Sequence, residues 1–344
     1  MIDTKTLKKP YKTEELIGHI DAQKQLYKLF KSDLTRNSII LKGLKGIGKS
    51  TLAFKFALYA QQNTFDNTDK INFTNFNSSE YSRDIDLLIS GGHPNIIYVH
   101  PYMFEDDNVR GDIKIDHIRW LKSKLTGTII NKYMRVCIID SIDDANISAC
   151  NSLLKMIEEP PINTLFLLIN HDTNSVIKTI KSRCMTINLD IPDYNDIEKI
   201  IKTHVSDFNI NKFLDIMKYK ISPGIILNLL ENDVFEINAN LNKTLNNMPY
   251  INTDNIIKIS DNLSKKINEE KFYITVELLF LWVNKKVHKL IELDINKLII
   301  YKWTNCWSEN SLKYRSLKDL NLNKEHYILN FLQDVNNLMQ IELK

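Results

Sequence analysis

The sequence predicts an α/β protein in which a parallel sheet covered by helices occupies the first 190 residues and an entirely helical part follows. One observation is the alternation of short, continuously apolar segments with amphipathic helical segments, which is typical of parallel strands buried on both faces. The other is glycine usage, because the 344 residues contain only 9 glycines and none follows Gly224. Tight turns between β-strands often need glycine at positive φ, so we expect the C-terminal third to be helical.

Four apolar runs predict the strands of the sheet. Each run is short and is bounded by glycine, a charged residue or a turn, which indicates a buried strand rather than a helix. In chain order they are Ser38–Leu41, Asn95–Val99, Arg135–Asp140 and Thr164–Ile169.

Helical patterns fill the chain between and after these strands. They cover residues 14–34, the segment from Thr51, residues 113–125 and residues 145–159, and Pro160 with Pro161 ends the last of them. From Tyr194 onward only helical patterns remain. The polar, aperiodic segment over 61–83 is predicted to be a surface insertion or mobile loop.

The bulk composition is that of a soluble globular chain, with 43% hydrophobic and 25% charged residues. The net charge of +3 is too small to indicate nucleic-acid binding by itself. The longest apolar run lies near Ile274 to Val283 and contains Glu277, whereas a bilayer span needs roughly 20 apolar residues. The N-terminal segment has no apolar core of the kind found in signal peptides.

The four cysteines indicate a reducing compartment. Their positions are far apart and lack C-x-x-C spacing, which argues against a zinc site or a disulfide framework: Cys137, Cys150, Cys184 and Cys306. We therefore expect a cytoplasmic protein without a membrane partner.

A phosphate-binding loop is predicted between the first strand and the following helix. The run from Gly43 to Ser50 matches G-x-x-x-x-G-K-[ST] in the strand–turn–helix context that this motif requires. Backbone N–H groups of such a loop surround phosphate, the lysine reaches the β/γ oxygens and the serine hydroxyl coordinates Mg²⁺. A tight turn without ligand is the alternative. The predicted nucleotide-binding residues are Gly43, Gly46, Gly48, Lys49, Ser50 and Thr51.

Asp140 ends the third strand and is the candidate acid for the Mg²⁺ shell. In ATPases with such a phosphate-binding loop, a glutamate usually follows that acid and polarises the attacking water. In this sequence the residue after Asp140 is Ser141. A serine hydroxyl is no base at neutral pH without a partner. The sequence therefore predicts ATP and Mg²⁺ binding with poor or absent hydrolysis. Asp143 and Asp144 could compensate, although both are expected to cap the following helix.

Several further motifs are specific enough to indicate a resemblance to a known family. The segments are Ile17-Gly18-His19, Gly92-His93-Pro94, Ile115 to Arg119, Leu153 to Pro161, Lys181 to Cys184 and Ser222-Pro223-Gly224. Together they resemble the bacterial clamp-loader branch of the AAA+ ATPases, and within it the delta prime subunits of DNA polymerase III. The resemblance covers about residues 16 to 230, and the remainder is similar in length and helicity.

The resemblance implies roles for particular residues. Arg183 occupies the position of the arginine finger, which projects in trans into the ATP site of a neighbouring subunit, and a planar, permanently charged guanidinium suits phosphate. A helix cap or a pair with an acid is the alternative for Arg183. Asn170 at the end of the fourth strand is the expected first sensor, with His171 as the alternative.

The departures from the hydrolysing subunits of that family indicate a stator-like role. Ser141 replaces the catalytic glutamate, and Ile225 stands where such subunits often have a sensing arginine. Residues 61–92 contain no cysteine, so the zinc module that many relatives carry is not expected.

The resemblance further implies three parts and a set of partners. A RecA-like AAA+ domain over 1–190, a helical lid over 191–232 and an all-α collar over 233–344 are expected, and apolar stretches such as Val276 to Val283 would contact neighbouring subunits. The partners would be the tau/gamma and delta subunits, the sliding clamp and, through the assembled complex, primed DNA. A hydrolysing motor subunit and a nucleotide-free interaction module are the alternative functions.

Overall fold

The computed structural model describes residues 10–13, 15–31, 37–63, 73, 75–77, 82–104, 112–126, 133–171, 178–205, 222–231, 241–249, 257, 269–319 and 323–342. These residues form two compact units. The first unit contains the described residues up to 205 together with Ser222–Ile225, and the second contains those from Ile226 onward.

The first unit alternates strands and helices as the sequence predicts. Its strands are β1 (Ser38–Lys42), β2 (Ile96–Val99), β3 (Arg135–Asp140), β4 (Thr164–Asn170) and β5 (Met185–Asn188). Its helices are α1 (Ile20–Lys31), α2 (Lys49–Gln62), α3 (Ser82–Ile89), α4 (Ile115–Leu125), α5 (Ile147–Glu158), α6 (Lys178–Lys181) and α7 (Tyr194–Lys202). Short 3₁₀ turns occur at Pro10–Lys12 and Ile142–Asp144.

All five strands join one parallel sheet in the order β2-β3-β4-β1-β5. The first strand is therefore internal, and its carboxyl end lies between the ends of β4 and β5. Ligands of open parallel sheets bind at such carboxyl ends, so this edge is where the predicted site residues should gather.

Each face of the sheet carries its own core because side chains alternate along a strand. Val136 and Ile138 pack with α1 and α2, whereas Cys137 and Ile139 pack with α4 and α5. Seven consecutive residues of β4 are buried, as expected for a strand covered on both sides.

Helix α1 is shorter than the predicted range over 14–34. It begins at Ile20 because Gly18 and His19 have φ values of 79° and 54°, outside the helical region. Residues 14 and 32–36 lie outside the described residues.

The prediction of a surface loop over 61–83 is wrong at both ends, because α2 extends to Gln62 and α3 begins at Ser82. It is also wrong for Phe76, whose side chain is completely buried. Its ring packs against Phe56 and Tyr59 with centroid distances of 5.4 and 5.1 Å, and its backbone N–H donates to Gln23 Oε1 at 3.1 Å. The aromatic residues of this polar segment recur at no regular spacing, so their pattern does not predict which of them is buried: Phe65, Phe73, Phe76 and Tyr81. Residues 64–72, 74 and 78–81 lie outside the described residues.

Strand β5 was not predicted from the sequence. It has four residues at the edge of the sheet, and of these only Ile187 is buried. Such a strand lacks the continuous apolar run that identifies the four buried strands.

The second unit consists of helices where it is described. The long helices, which we label α9 (Glu269–Glu292), α10 (Lys297–Asp319) and α11 (Lys324–Glu342), follow a helical segment over 241–246. Helix α8 (Pro223–Glu231) begins in the first unit and continues into the second. None of the described helices is long and apolar enough to cross a membrane.

The expectation that Val276 to Val283 contact neighbouring subunits is wrong for the buried side chains of this stretch. Val276, Leu279 and Val283 are fully buried within the chain. Exposed apolar side chains lie instead on α10, where Leu298, Tyr301 and Leu312 are 59%, 65% and 59% exposed.

Helix α7 belongs to the first unit by its contacts, although the sequence places it in the lid. The proposed division at residues 190 and 232 stays a prediction, since residues 206–221 and 232–240 lie outside the described part of the chain.

We expect Phe76→Ala to destabilise the first unit by about 3–5 kcal/mol, because it removes a fully buried ring and leaves a cavity. Native-state hydrogen exchange of the β3 and β4 amides would measure this loss locally. Phe104→Ala, at a residue that is 52% exposed, is the matched control and should cost less than half as much. Equal losses for the two variants would contradict the buried position of Phe76.

Candidate nucleotide-binding site

The predicted loop connects β1 directly to the first turn of α2. Gly46 and Gly48 have φ values of 81° and 102°, which side chains disfavour, and Gly48 immediately precedes the helix. Gly43 donates its N–H to the carbonyl of Asn170 at 3.2 Å, and Thr51 lies in the first turn of α2. The six predicted residues therefore form one loop and helix start at the carboxyl edge of the sheet.

Lys49 is folded back over this loop. Its ammonium donates to the carbonyl oxygens of Gly43 and Leu44 at 2.7 and 2.6 Å, and the residue is only 3% exposed. A buried ammonium requires partners, and here the loop backbone provides them. The Lys49 charge thus lies against the loop backbone, and its contact with phosphate stays a prediction.

Ser50 and Asp140 form the predicted magnesium pair. The Ser50 hydroxyl donates to Asp140 Oδ2 at 2.7 Å, and the Tyr98 hydroxyl reaches the same oxygen at 3.2 Å. Burial raises the pKa of Asp140, while hydrogen bonds from Ser50 and Tyr98 lower it.

This donor pair fits Mg²⁺, which takes oxygen ligands and in phosphate sites is held by one or two carboxylates with phosphates and waters. Among the described residues no group of three or more His, Cys, Asp and Glu side chains is arranged for a metal ion. The Ser50–Asp140 pair thus suits a cation bound together with nucleotide.

Ser141 follows Asp140 and is 1% exposed. Its hydroxyl donates to Asp144 Oδ2 at 2.8 Å, so this acid is engaged in a hydrogen bond at the end of β3. Asp144 does not cap α5, contrary to the sequence prediction. Asn146 does so, accepting the Ala149 N–H at 2.8 Å.

Asp143 is bound to the end of β4 and likewise does not cap α5. Its carboxylate accepts from Asn170 Nδ2 at 2.8 Å and from the backbone N–H of His171 at 2.6 Å. Asn170 is 3% exposed and pairs in register with Lys42 of β1, next to the start of the loop. The structure therefore brings Asn170 to the edge of the predicted site and joins it to Asp143.

His19 is a loop contact to which the sequence reading assigned no role. Its Nε2–H donates to the Ile47 carbonyl at 2.6 Å, in the tautomer that this acceptor requires. Burial lowers the pKa of His19, which favours the neutral ring beside the Lys49 charge. The Ile17-Gly18-His19 segment was the only signal for this contact.

The start of α8 also touches the loop. Gly224 donates its N–H to the Gly46 carbonyl at 2.9 Å, and a Cβ built on Gly224 would lie 2.7 Å from Gly46 Cα. Only glycine permits this approach of two backbones.

Arg183 lies on the turn between α6 and β5. Its Nε donates to Glu158 Oε1 at 2.5 Å and its Nη1 to the Thr179 carbonyl at 3.0 Å. The side chain is 41% exposed. Arg183 thus forms an ion pair with Glu158. A pair with an acid was the alternative to the arginine finger in the sequence analysis.

The fold and the site together define a P-loop domain of the AAA+ type. Its features are an internal strand β1, a glycine loop with a buried lysine, a carboxylate ending β3 and a polar side chain ending β4. More particularly, the chain belongs to the family described as "DNA polymerase III, delta subunit", whose sequence profile matches residues 18–193.

Individual relatives agree with this assignment. The delta prime subunit of DNA polymerase III from Buchnera aphidicola subsp. Schizaphis graminum is 26% identical over 305 residues, which cover 83% of this chain and 88% of the relative. The gamma subunit from the same organism is 31% identical over 134 residues, covering 38% of this chain and 37% of that protein.

A solved structure of a gamma subunit-related protein from Thermotoga maritima covers 91% of this chain and 99% of its own at 15% identity and a TM-score of 0.38. This likeness is too low to add to the assignment.

We expect Gly224→Ala to break the backbone contact with Gly46, because the new Cβ would overlap Gly46 Cα. The variant should show faster hydrogen exchange at the Gly224 amide and through residues 43–50, by at least about tenfold. Gly92→Ala is the matched control, since its nearest neighbour would be the Ser90 hydroxyl at 3.4 Å. Unchanged exchange in Gly224→Ala would show that the contact does not hold the loop.

Proposed function

We propose that this chain is a delta prime type subunit of a bacterial clamp loader. It binds ATP with Mg²⁺ at the loop from Gly43 to Ser50, hydrolyses it slowly or not at all, and offers Arg183 to the ATP of an adjacent motor subunit. Together with tau/gamma and delta subunits it opens the sliding clamp and places it on primed DNA. Family membership and the delta prime and gamma relatives support this proposal.

The observation that carries the non-hydrolysing site is the hydrogen bond from Ser141 to Asp144. Hydrolysis needs a group of suitable basicity that orients or deprotonates the attacking water. The residue after Asp140 carries a hydroxyl, which is far less basic than a carboxylate, and Asp144 holds this hydroxyl as a hydrogen-bond donor. Asp143, the other nearby acid, accepts from Asn170 and from the His171 backbone. Bound ATP would therefore act in this subunit as a structural ligand.

The start of α8 supports the same reading. Ile225 follows the Gly224 that contacts the loop, at the place where hydrolysing relatives often have an arginine. An aliphatic side chain supplies no charge to the γ-phosphate. Both losses concern the chain's own nucleotide.

Arg183 retains what a trans contact requires, namely a permanent charge in an accessible place. Its side chain is 41% exposed and that of its partner Glu158 is 46% exposed. Exposed ion pairs contribute about 0–1 kcal/mol, so a neighbour's phosphate can displace Glu158 at little cost. Arginine fingers contribute about 10³–10⁵ in rate.

The second unit supplies the surface for assembly. Leu298, Tyr301 and Leu312 project from α10, and exposed apolar side chains of this size are common at subunit interfaces. We propose that this helix contacts the neighbouring subunits in a ring.

A hydrolysing motor is the second candidate, favoured by the complete phosphate-loop motif and by the gamma relative. We expect the isolated chain to bind a fluorescent ATP analogue with Mg²⁺, to lose at least tenfold in affinity in Lys49→Ala, and to show only background hydrolysis. The exposed Lys155→Ala on α5 is the control and should bind as the wild type does.

Turnover that Lys49→Ala abolishes would favour the motor. Absence of saturable binding by the wild type would favour a nucleotide-free interaction module.

We expect Arg183→Ala to lower the DNA-stimulated ATPase rate of the reconstituted clamp loader, because the adjacent motor site loses its finger and slows by at least about tenfold. Arg83→Ala, which removes an exposed arginine from α3, is the control. Glu158→Gln removes the carboxylate bound to Arg183 while leaving the guanidinium in place, and should retain the wild-type rate. An unchanged rate in Arg183→Ala would refute the trans role.

A further inference from the structure

Tyr98 lies in β2, which β3 and β4 separate from β1 and its phosphate loop, yet the Tyr98 hydroxyl reaches the predicted magnesium site. It donates to Asp140 Oδ2 at 3.2 Å across the neighbouring strand β3. No sequence motif includes this residue, and the nucleotide-site assignment above does not use it.

The ring of Tyr98 is fixed by aromatic neighbours on two sides. Phe54 packs edge-on at a centroid distance of 4.9 Å, and His100 stacks at 4.7 Å. Phe54 follows Ser50 by one turn of α2, so the helix that carries the serine hydroxyl also holds the tyrosine ring. Burial raises the pKa of Tyr98 well above its ordinary value, so the phenol remains a neutral donor.

Two hydroxyl donors therefore converge on a single carboxylate oxygen. Ser50 approaches Asp140 Oδ2 at 2.7 Å and Tyr98 approaches it at 3.2 Å. An oxygen that accepts two hydrogen bonds has used its lone pairs. Oδ1 takes part in neither of these two hydrogen bonds, and this oxygen would accept from water on a cation.

Orientation matters because the terminal torsion of aspartate is broad and would otherwise let the carboxylate rotate. Ser50 alone is a movable donor, since its hydroxyl must also turn a lone pair toward Mg²⁺. A second donor on a rigid ring fixes which oxygen is engaged even when Ser50 adjusts.

We propose that Tyr98 is a positioning residue of the magnesium site. Its hydroxyl holds Asp140 by Oδ2, so that Oδ1 would accept from metal-bound water. This inference rests on the proposed binding of nucleotide with Mg²⁺. Tyr98 itself touches neither the nucleotide nor the cation in this role, and it acts through Asp140.

The test compares the affinity for a fluorescent ADP analogue in Mg²⁺ and in EDTA, and takes the ratio as the magnesium gain. Tyr98→Phe keeps the ring contacts and removes only the hydroxyl. Because a hydrogen bond to a charged group is lost, we expect the gain to fall by about tenfold while the affinity in EDTA stays the same. Tyr59→Phe, which removes a hydroxyl from the aromatic cluster elsewhere on α2, should keep the wild-type gain.

A double-mutant cycle separates action through Asp140 from a general packing effect. In an Asp140→Asn background, Tyr98→Phe should cause no further loss of the magnesium gain. An additive loss in that background, or a full gain in Tyr98→Phe alone, would overturn the inference while leaving the proposed nucleotide binding intact. A wild-type chain that binds the analogue in neither condition would overturn both.

Discussion

The hydrogen bond between Ser50 and Asp140 is the interaction on which the site depends. It joins the first turn of α2 to the end of β3, and so connects the phosphate loop to a strand that is not its neighbour in the sheet. Gly46 and Gly48 adopt the positive φ values that the loop requires, and the Lys49 ammonium is bound to the loop carbonyls. Asp140 then brings in Tyr98 from β2, so three strands and one helix determine the geometry at one carboxylate.

Much of the first unit could be predicted because its signals are local. Four strands are buried on both faces and therefore appear as unbroken apolar runs, and the phosphate loop needs particular residues at fixed spacing. Ser50 and Asp140 were predicted as a pair from their positions at the start of a helix and the end of a strand, and the structure joins them.

The missed features depend on contacts between distant parts of the chain. Phe76 is buried by its aromatic neighbours, β5 pairs at an edge without an apolar run, and Gly224 meets Gly46 over a long sequence separation. The helix caps were wrong for a related reason. Asp143 and Asp144 have the composition of caps, but tertiary partners at the ends of β3 and β4 take both carboxylates.

The contact between Gly46 and Gly224 also restricts how this protein can change in evolution. When a substitution in a core changes the size of one side chain, a second substitution that changes a neighbouring side chain in the opposite direction can restore the packed volume. Here both glycines lack a side chain, so neither has side-chain volume to lose. A Cβ on Gly224 would lie 2.7 Å from Gly46 Cα, and a Cβ on Gly46 would lie 2.7 Å from Ser222 Oγ and 3.0 Å from Gly224 Cα. Replacement at one position has no second-site remedy at the other, and the two glycines are constrained as a pair.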